Sequence, residues 1–183
     1  MKKLLVLLLV VILSFNIQAQ EKLNQRNEET IELPIDSTSV LTIDSTIKTL
    51  YSVISGEKGE KRNWKQFKFL FKSEAKIIPS GIDPEGIKTV RYMSPQDYIK
   101  NSENWLIAHG FIEREIHRTV NTFGNIAQVF STYESLHSES NTKPFMRGIN
   151  SIQLFNDGKR WWIINLYWTQ ESEINPIPKE FLP

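Results

Sequence analysis

Glu113, Arg114 and His117 fall within five residues of one another in FIEREIHRTV, and they are the side chains of this chain best suited to acid-base or anion-binding chemistry. A carboxylate and an imidazole four positions apart can work as an acid and base pair if both project into one cavity. An arginine in the same place could instead grip a carboxylate through two parallel N–H groups. Strand alternation sets the two options against each other. Ile112, Arg114, Ile116, Arg118 and Val120 share one face, and Phe111, Glu113, Glu115, His117 and Thr119 share the other. Three apolar residues in five against one in five favours the isoleucine face as the inner one, which points Arg114 inward. A one-residue bulge would reverse the assignment and bring in Glu113 and His117.

The remaining polar candidates come from a hairpin. RGINSIQLFNDGKRWWIINLYW, from Arg147 to Trp168, reads as two antiparallel strands around Asn156-Asp157-Gly158, residue types that tolerate positive φ. Counting outward from that turn pairs Leu154 with Trp161, Ile152 with Ile163 and Asn150 with Asn165, and leaves Tyr167 on the same face. In the strand before it Ala127, Val129, Ser131 and Tyr133 form one set, apolar at one end and polar at the other. Tyr133, Asn150, Asn165 and Tyr167, with Arg114, are therefore the expected ligand-binding residues on a concave face. Phe130, Ile149, Phe155, Trp162, Ile164 and Trp168 are expected on the opposite face, an apolar surface that predicts a homodimer. Trp64, Trp105 and Tyr51 are assigned to the core.

Other chemistries find little to work with. His109 and His117 are eight apart across a helix-to-strand junction and His137 stands near a loop, so no metal-ligand spacing results and no metal is expected. SxxK, GxSxG and phosphate-cradling glycine loops are absent, and no cofactor is implied. With zero cysteines there is no thiol nucleophile and no disulfide framework. No aspartate lies in the four long strands after Gly110, since Asp157 sits in the hairpin turn. The candidates for catalysis reduce to Glu113 and His117, and no recognisable catalytic motif supports an enzyme.

Several elements must position these residues. Residues 20–34 are polar and read as a flexible leader. Asp36-Ser37-Thr38 then starts a helix whose Val40, Ile43, Ile47, Leu50, Tyr51 and Ile54 form one stripe, ended by Gly56. Asn63 caps a short second helix carrying Trp64, Phe67, Leu70 and Phe71, and AKIIPSG at 75–81 reads as a short strand. IKTVRYM is a further strand or an extended arm. Ser94, Pro95 and Asp97 mark the start of a third helix with Tyr98, Ser102, Trp105 and His109 on one face, closed by Gly110. Four long antiparallel strands follow, and INPIPKEFLP, with three prolines, is an extended tail over 171–183. Helices followed by strands give an α+β domain over 35–170, its helices covering one face of a curved sheet.

Met1-Lys2-Lys3, the apolar run Leu4 to Phe15 and Ala19 carry the three zones of a signal peptide over 1–19, cut after Ala19. The run is shorter than the roughly 17 to 25 residues a spanning helix needs, and no cysteine follows it for lipid attachment. Export to the periplasm or the exterior is expected, with no membrane attachment after cleavage. Removing Lys2 and Lys3 from the 22 basic residues leaves 20 against 21 acidic ones, a balance that gives nucleic acid no basic surface to bind.

The order of these elements, with RNWKQFKFLF before the first strand and then FGNIAQVFSTYES, RGINSIQL and DGKRWWIINLYW, resembles the nuclear transport factor 2-like superfamily in its SnoaL-like branch. That resemblance implies a cystatin-like cone, in which a strongly bent antiparallel sheet wraps about three helices and leaves a pocket at the open end. It also implies frequent dimerisation through the outer sheet face. Some such proteins are isomerases, dehydratases or cyclases that use an Asp, or an Asp and a His, inside the cone. The implied function here is small-molecule binding without an evident catalytic dyad. The alternatives are a cofactor-free isomerase or hydrolase using Glu113 with His117, or Tyr133 with Arg114, or else a dimeric interaction module.

Overall fold

A computed structural model describes residues 33–183. The expected signal peptide, and the leader as far as residue 32, lie outside the described residues. Ser37–Val40 forms a single 3-10 turn capped by Asp36, whose carboxylate accepts from the amide of Thr38 at 2.8 Å. Helix α1 (Ile43–Ile54) starts only afterwards, behind a capping box in which Thr42 and Ser45 bond each other's amides. The expected single start at Asp36 is thus split in two. Asn63 caps α2 (Trp64–Leu70), and Ser94 and Asp97 form the capping box of α3 (Pro95–His109), which ends at Gly110 with φ 72°. Both were legible as caps.

The strands are β1 (Phe71–Ile82), β2 (Lys88–Val90), β3 (Ile112–Phe123), β4 (Ile126–Leu136), β5 (Met146–Asn156) and β6 (Trp161–Gln170). They form one sheet in the order β2-β1-β6-β5-β4-β3. The α+β cone takes shape, but its sheet is mixed where an antiparallel one was expected, because β1 runs parallel to β6. The reason is connectivity: α3 and the four strands β2 to β5 separate β1 from β6, and hairpin turns reveal only pairings between successive strands. Strand β1 also begins at Phe71, earlier than the expected 75, because Phe71 continues the apolar stripe of Phe67 and so reads as helix.

Two bulges decide which side chains face the helices. In β3 the pairing steps from Glu115 opposite Tyr133 to His117 opposite Thr132, leaving Ile116 as the extra residue. In β6 it steps from Ile163 opposite Leu154 to Asn165 opposite Gln153, leaving Ile164 extra. Each bulge bends its strand and exchanges the two faces beyond it. The core lies between the concave face and the helices: Ile47, Leu50, Phe67 and Leu70 pack there against Val129, Ile152, Leu154 and Ile163, all essentially inaccessible to water.

Candidate functional site

Toward the open end, helix and sheet separate enough to leave a cavity of about 290 Å³. Its helical wall comes mainly from α3, through Tyr98, Asn101, Ser102 and Trp105, with Leu50 and Ile54 of α1 and Phe67 of α2 beside them. Across from them stand Glu113 of β3, Tyr133 of β4, Asn150 of β5 and Leu166 and Trp168 of β6. The volume is at the lower end of the roughly 300–1,000 Å³ usual for ligand sites, and the walls are mainly apolar and aromatic with a few polar groups.

Glu113 is the one ionisable acid in those walls. Glu113 is half-buried and lines both this cavity and an outer groove that it shares with Tyr51 and Glu115. Two long hydrogen bonds reach it, from Asn150 Nδ2 at 3.4 Å and from Ser135 Oγ at 3.3 Å. Burial pushes its pKa up to about 7, and those bonds offset only part of the effect. At neutral pH this carboxyl is therefore poised between its acid and its base.

Behind Glu113 runs a chain of buried polar contacts. Asn150 Nδ2 donates to Tyr51 Oη at 3.0 Å, and Tyr51 Oη lies 2.6 Å from Ser131 Oγ. Ser131 donates to Glu115, which is bonded to Arg118, and Arg118 reaches Asp44 at the surface at 3.1 Å. Since Ser131 gives its only proton to Glu115, Tyr51 must donate to Ser131 and accept from Asn150. Every hydrogen in the chain is then assigned, which fixes the Asn150 side chain beside Glu113.

Tyr133 differs. Its hydroxyl is buried and has no hydrogen-bond partner. Gly148 makes this position possible, because a Cβ there would stand 2.5 Å from Tyr133 Oη and 2.4 Å from the carbonyl oxygen of Thr169. Burial and the nearby Glu113 charge push the phenol pKa upward, so the group stays a neutral donor. Tyr133 lines the cavity with its hydroxyl closed off from solvent, so a bound molecule would gain a hydrogen bond from this unsatisfied group once the side chain shifts toward it.

The structure brings together three of the sequence-derived candidates, Glu113, Tyr133 and Asn150, and separates the rest. Arg114 points outward and pairs with Glu134 at 3.2 Å, so the expected inner isoleucine face is corrected ahead of the bulge, while beyond it Arg118 and Val120 do face inward, opposite Ser131 and Val129. A bulge was the foreseen exception, but at Ile116 it falls between Glu113 and His117 and places them on opposite faces. His117 is therefore not beside Glu113 in the cavity; it lies on the outer face, with Nδ1 buried and unpartnered. Asn165 and Tyr167 are likewise moved outward by the bulge at Ile164, Asn165 contacting Gln153 Oε1 at 3.4 Å. Leu166 and Trp168 take their places inside, and Trp168 was expected outside.

Trp105, assigned to the core from sequence, proves to be half-exposed at the cavity wall, stacked on His109 at 4.8 Å. The signal for it was present in the weakly apolar face of α3, where Tyr98, Ser102 and Trp105 recur at helical spacing.

No protein-family model and no curated protein sequence matches this chain. Solved structures do. An NTF2-like protein with a cystatin-like fold from Novosphingobium aromaticivorans aligns with a TM-score of 0.55 and 13% identity over 88% of this chain and 93% of its own. A cystatin-like-fold protein of unknown function from Nostoc punctiforme aligns at 0.55 and 8% identity, over 77% and 97%. A provisionally named scytalone dehydratase, also from N. aromaticivorans, aligns at 0.52 and 11% identity, over 71% and 82%. Identities this low speak for fold alone, and the fold is the cystatin-like, NTF2-like one that the strand and helix order implied.

Proposed function

We propose that this protein binds a small, largely apolar organic molecule in the cavity between α3 and the sheet, with Glu113, Tyr133 and Asn150 fixing its orientation. The observation that carries this reading is the coincidence, on one aromatic wall, of a carboxyl with weak partners and a hydroxyl with none. A packed core has no reason to keep such groups unsatisfied, whereas a binding site does. Soaking crystals with a fragment library tests it. Density is expected in the cavity against Tyr133 and Glu113; fragments found only elsewhere, or none, would overturn the reading.

One observation favours a second reading, cofactor-free proton transfer. A carboxyl poised near neutrality is suited to give and take a proton, and no histidine is needed beside it. If it operates, the substrate should exchange a carbon-bound proton with solvent deuterium in the wild type and not in Glu113→Gln. We further propose that the protein acts outside the cytoplasm, on the basis of the Lys2-Lys3, Leu4–Phe15 and Ala19 pattern. Intact mass of the protein from its producing cell is then expected to correspond to a chain starting at Gln20.

A further inference from the structure

The chemical class of the ligand can be narrowed, given the small-molecule reading above. Among the residues that line the cavity there is no Lys, Arg or His. Three guanidinium groups on or beside the surrounding elements are committed elsewhere. Arg62, buried beneath α1 and α3, donates to the carbonyls of Ile54 at 2.9 Å, Gly56 at 2.7 Å, Glu60 at 2.5 Å and Leu106 at 3.3 Å. Arg114 pairs with Glu134 on the outer face, and Arg118 with Glu115 and Asp44. Glu113 thus stands in the wall with amide and hydroxyl neighbours only and no counter-ion.

Six aromatic rings surround the same space: Phe67, Tyr98, Trp105, Phe111, Tyr133 and Trp168. Ring faces carry negative quadrupole potential, so they favour a cation and disfavour an anion. The phenols of Tyr98 and Tyr133 are held neutral by burial and add no charge of their own. A carboxylate ligand would meet Glu113 without any compensating cation. A neutral ligand would gain nothing from a carboxyl that a serine or glutamine could not supply. Only a positively charged group makes use of both the carboxylate and the rings.

We infer that the cavity takes a small organic cation, an ammonium group carried on a flat apolar body, with Glu113 as its counter-ion and the aromatic side chains as its walls. Tyr133, as a neutral hydroxyl, and Asn150 complete the polar contacts. Because the cation pairs with ionised Glu113, its binding expels a proton wherever Glu113 was protonated.

Calorimetric titration with three probes of one shape tests this: 2-phenylethylammonium, neutral 2-phenylethanol and anionic phenylacetate, each at pH 6 and pH 8.5. The ammonium is expected to bind best, about tenfold more tightly at pH 8.5 than at pH 6, as the ionised fraction of Glu113 grows. Proton release into buffers of different ionisation enthalpy should accompany binding at pH 6, a readout that needs no variant. Glu113→Gln should weaken ammonium binding at pH 8.5 at least tenfold and erase the pH dependence, with an unchanged circular dichroism spectrum. Tighter binding of the alcohol or of phenylacetate would overturn the cation assignment and leave the small-molecule reading standing. So would ammonium binding indifferent to pH and to Glu113→Gln. Failure of all three probes to bind would count against both.

Discussion

At the scale of single residues the protein is organised around Glu113. Its pKa in the folded state, about 7, stands above the ordinary 4.5, so the native protein holds the proton more tightly than the unfolded chain does. Stability should therefore be undiminished by this group below pH 4.5 and fall as pH rises through 7. The loss amounts to about 3 kcal/mol at most, and less where cavity water reaches the carboxyl. Asp44, Asp97 and Glu171 shift the opposite way through bonds to Lys48, Ser94 and Arg147 respectively, and they gain stability as pH rises from acid. Glu113's part is accordingly the difference between wild type and Glu113→Gln. Urea unfolding at pH 5 and pH 8 is expected to show the variant gaining on the wild type at the higher pH. Parallel behaviour of the two would mean that the carboxyl is not buried as described.

At the scale of elements the controlling features are the bulges. In β6 the alternation reads correctly up to Ile164 and inverts after it, whereas in β3 the inner face was misassigned before Ile116, at Arg114, and is right after it, at Arg118 and Val120. Leu154, Ile163 and Asn150 were placed rightly, whereas Asn165, Tyr167 and Trp168 exchanged faces across Ile164. An extra residue in a strand leaves no mark on residue types, because Ile116 and Ile164 are as suited to a regular strand as to a bulge. Caps and turns were legible because their chemistry is local, as in Ser94 with Asp97, or Gly158 with φ 90° in the β5–β6 turn. Gly148 offers a test at this level. A methyl there would strike the Thr169 carbonyl and the Tyr133 ring across the β4-β5-β6 pairing. Gly148→Ala is expected to cost roughly 1–3 kcal/mol in denaturant unfolding and to push Tyr133 into the cavity. A variant of wild-type stability would show that the strands can separate there without strain.

For the whole molecule, the outer sheet face is less bare than its sequence suggests. The tail after β6 folds back over it: Phe181 packs edge-on against Phe130 at 4.9 Å and accepts from Thr132 Oγ1 at 2.7 Å, while Ile177 is 8% exposed. Elsewhere on that face the Arg160 guanidinium stacks on Trp162 at 3.5 Å and on Phe69 at 4.0 Å, and Lys72 lies over Trp162 at 4.5 Å. Tail and cations thus cover much of the apolar surface from which a homodimer was expected. Ending the chain after Gln170 would uncover Phe130 and Ile149. Sedimentation velocity is expected to show that shortened protein self-associating more strongly than the intact one at equal concentration. Identical profiles would mean that the tail does not screen the face. The sequence showed the tail's prolines and so its extended character, but nothing in its composition said where it would dock, since that depends on contacts 49 residues apart in the chain, from Thr132 to Phe181.

The most direct measurement is an NMR pH titration of the Glu113 side-chain carboxyl carbon, in the free protein and with 2-phenylethylammonium present. A buried, uncompensated carboxyl in a cation-binding cavity should titrate with a midpoint near 7 when free and at a clearly lower pH when the ammonium is bound. A midpoint at the ordinary carboxyl value of 4.5, unmoved by the ammonium, would contradict it.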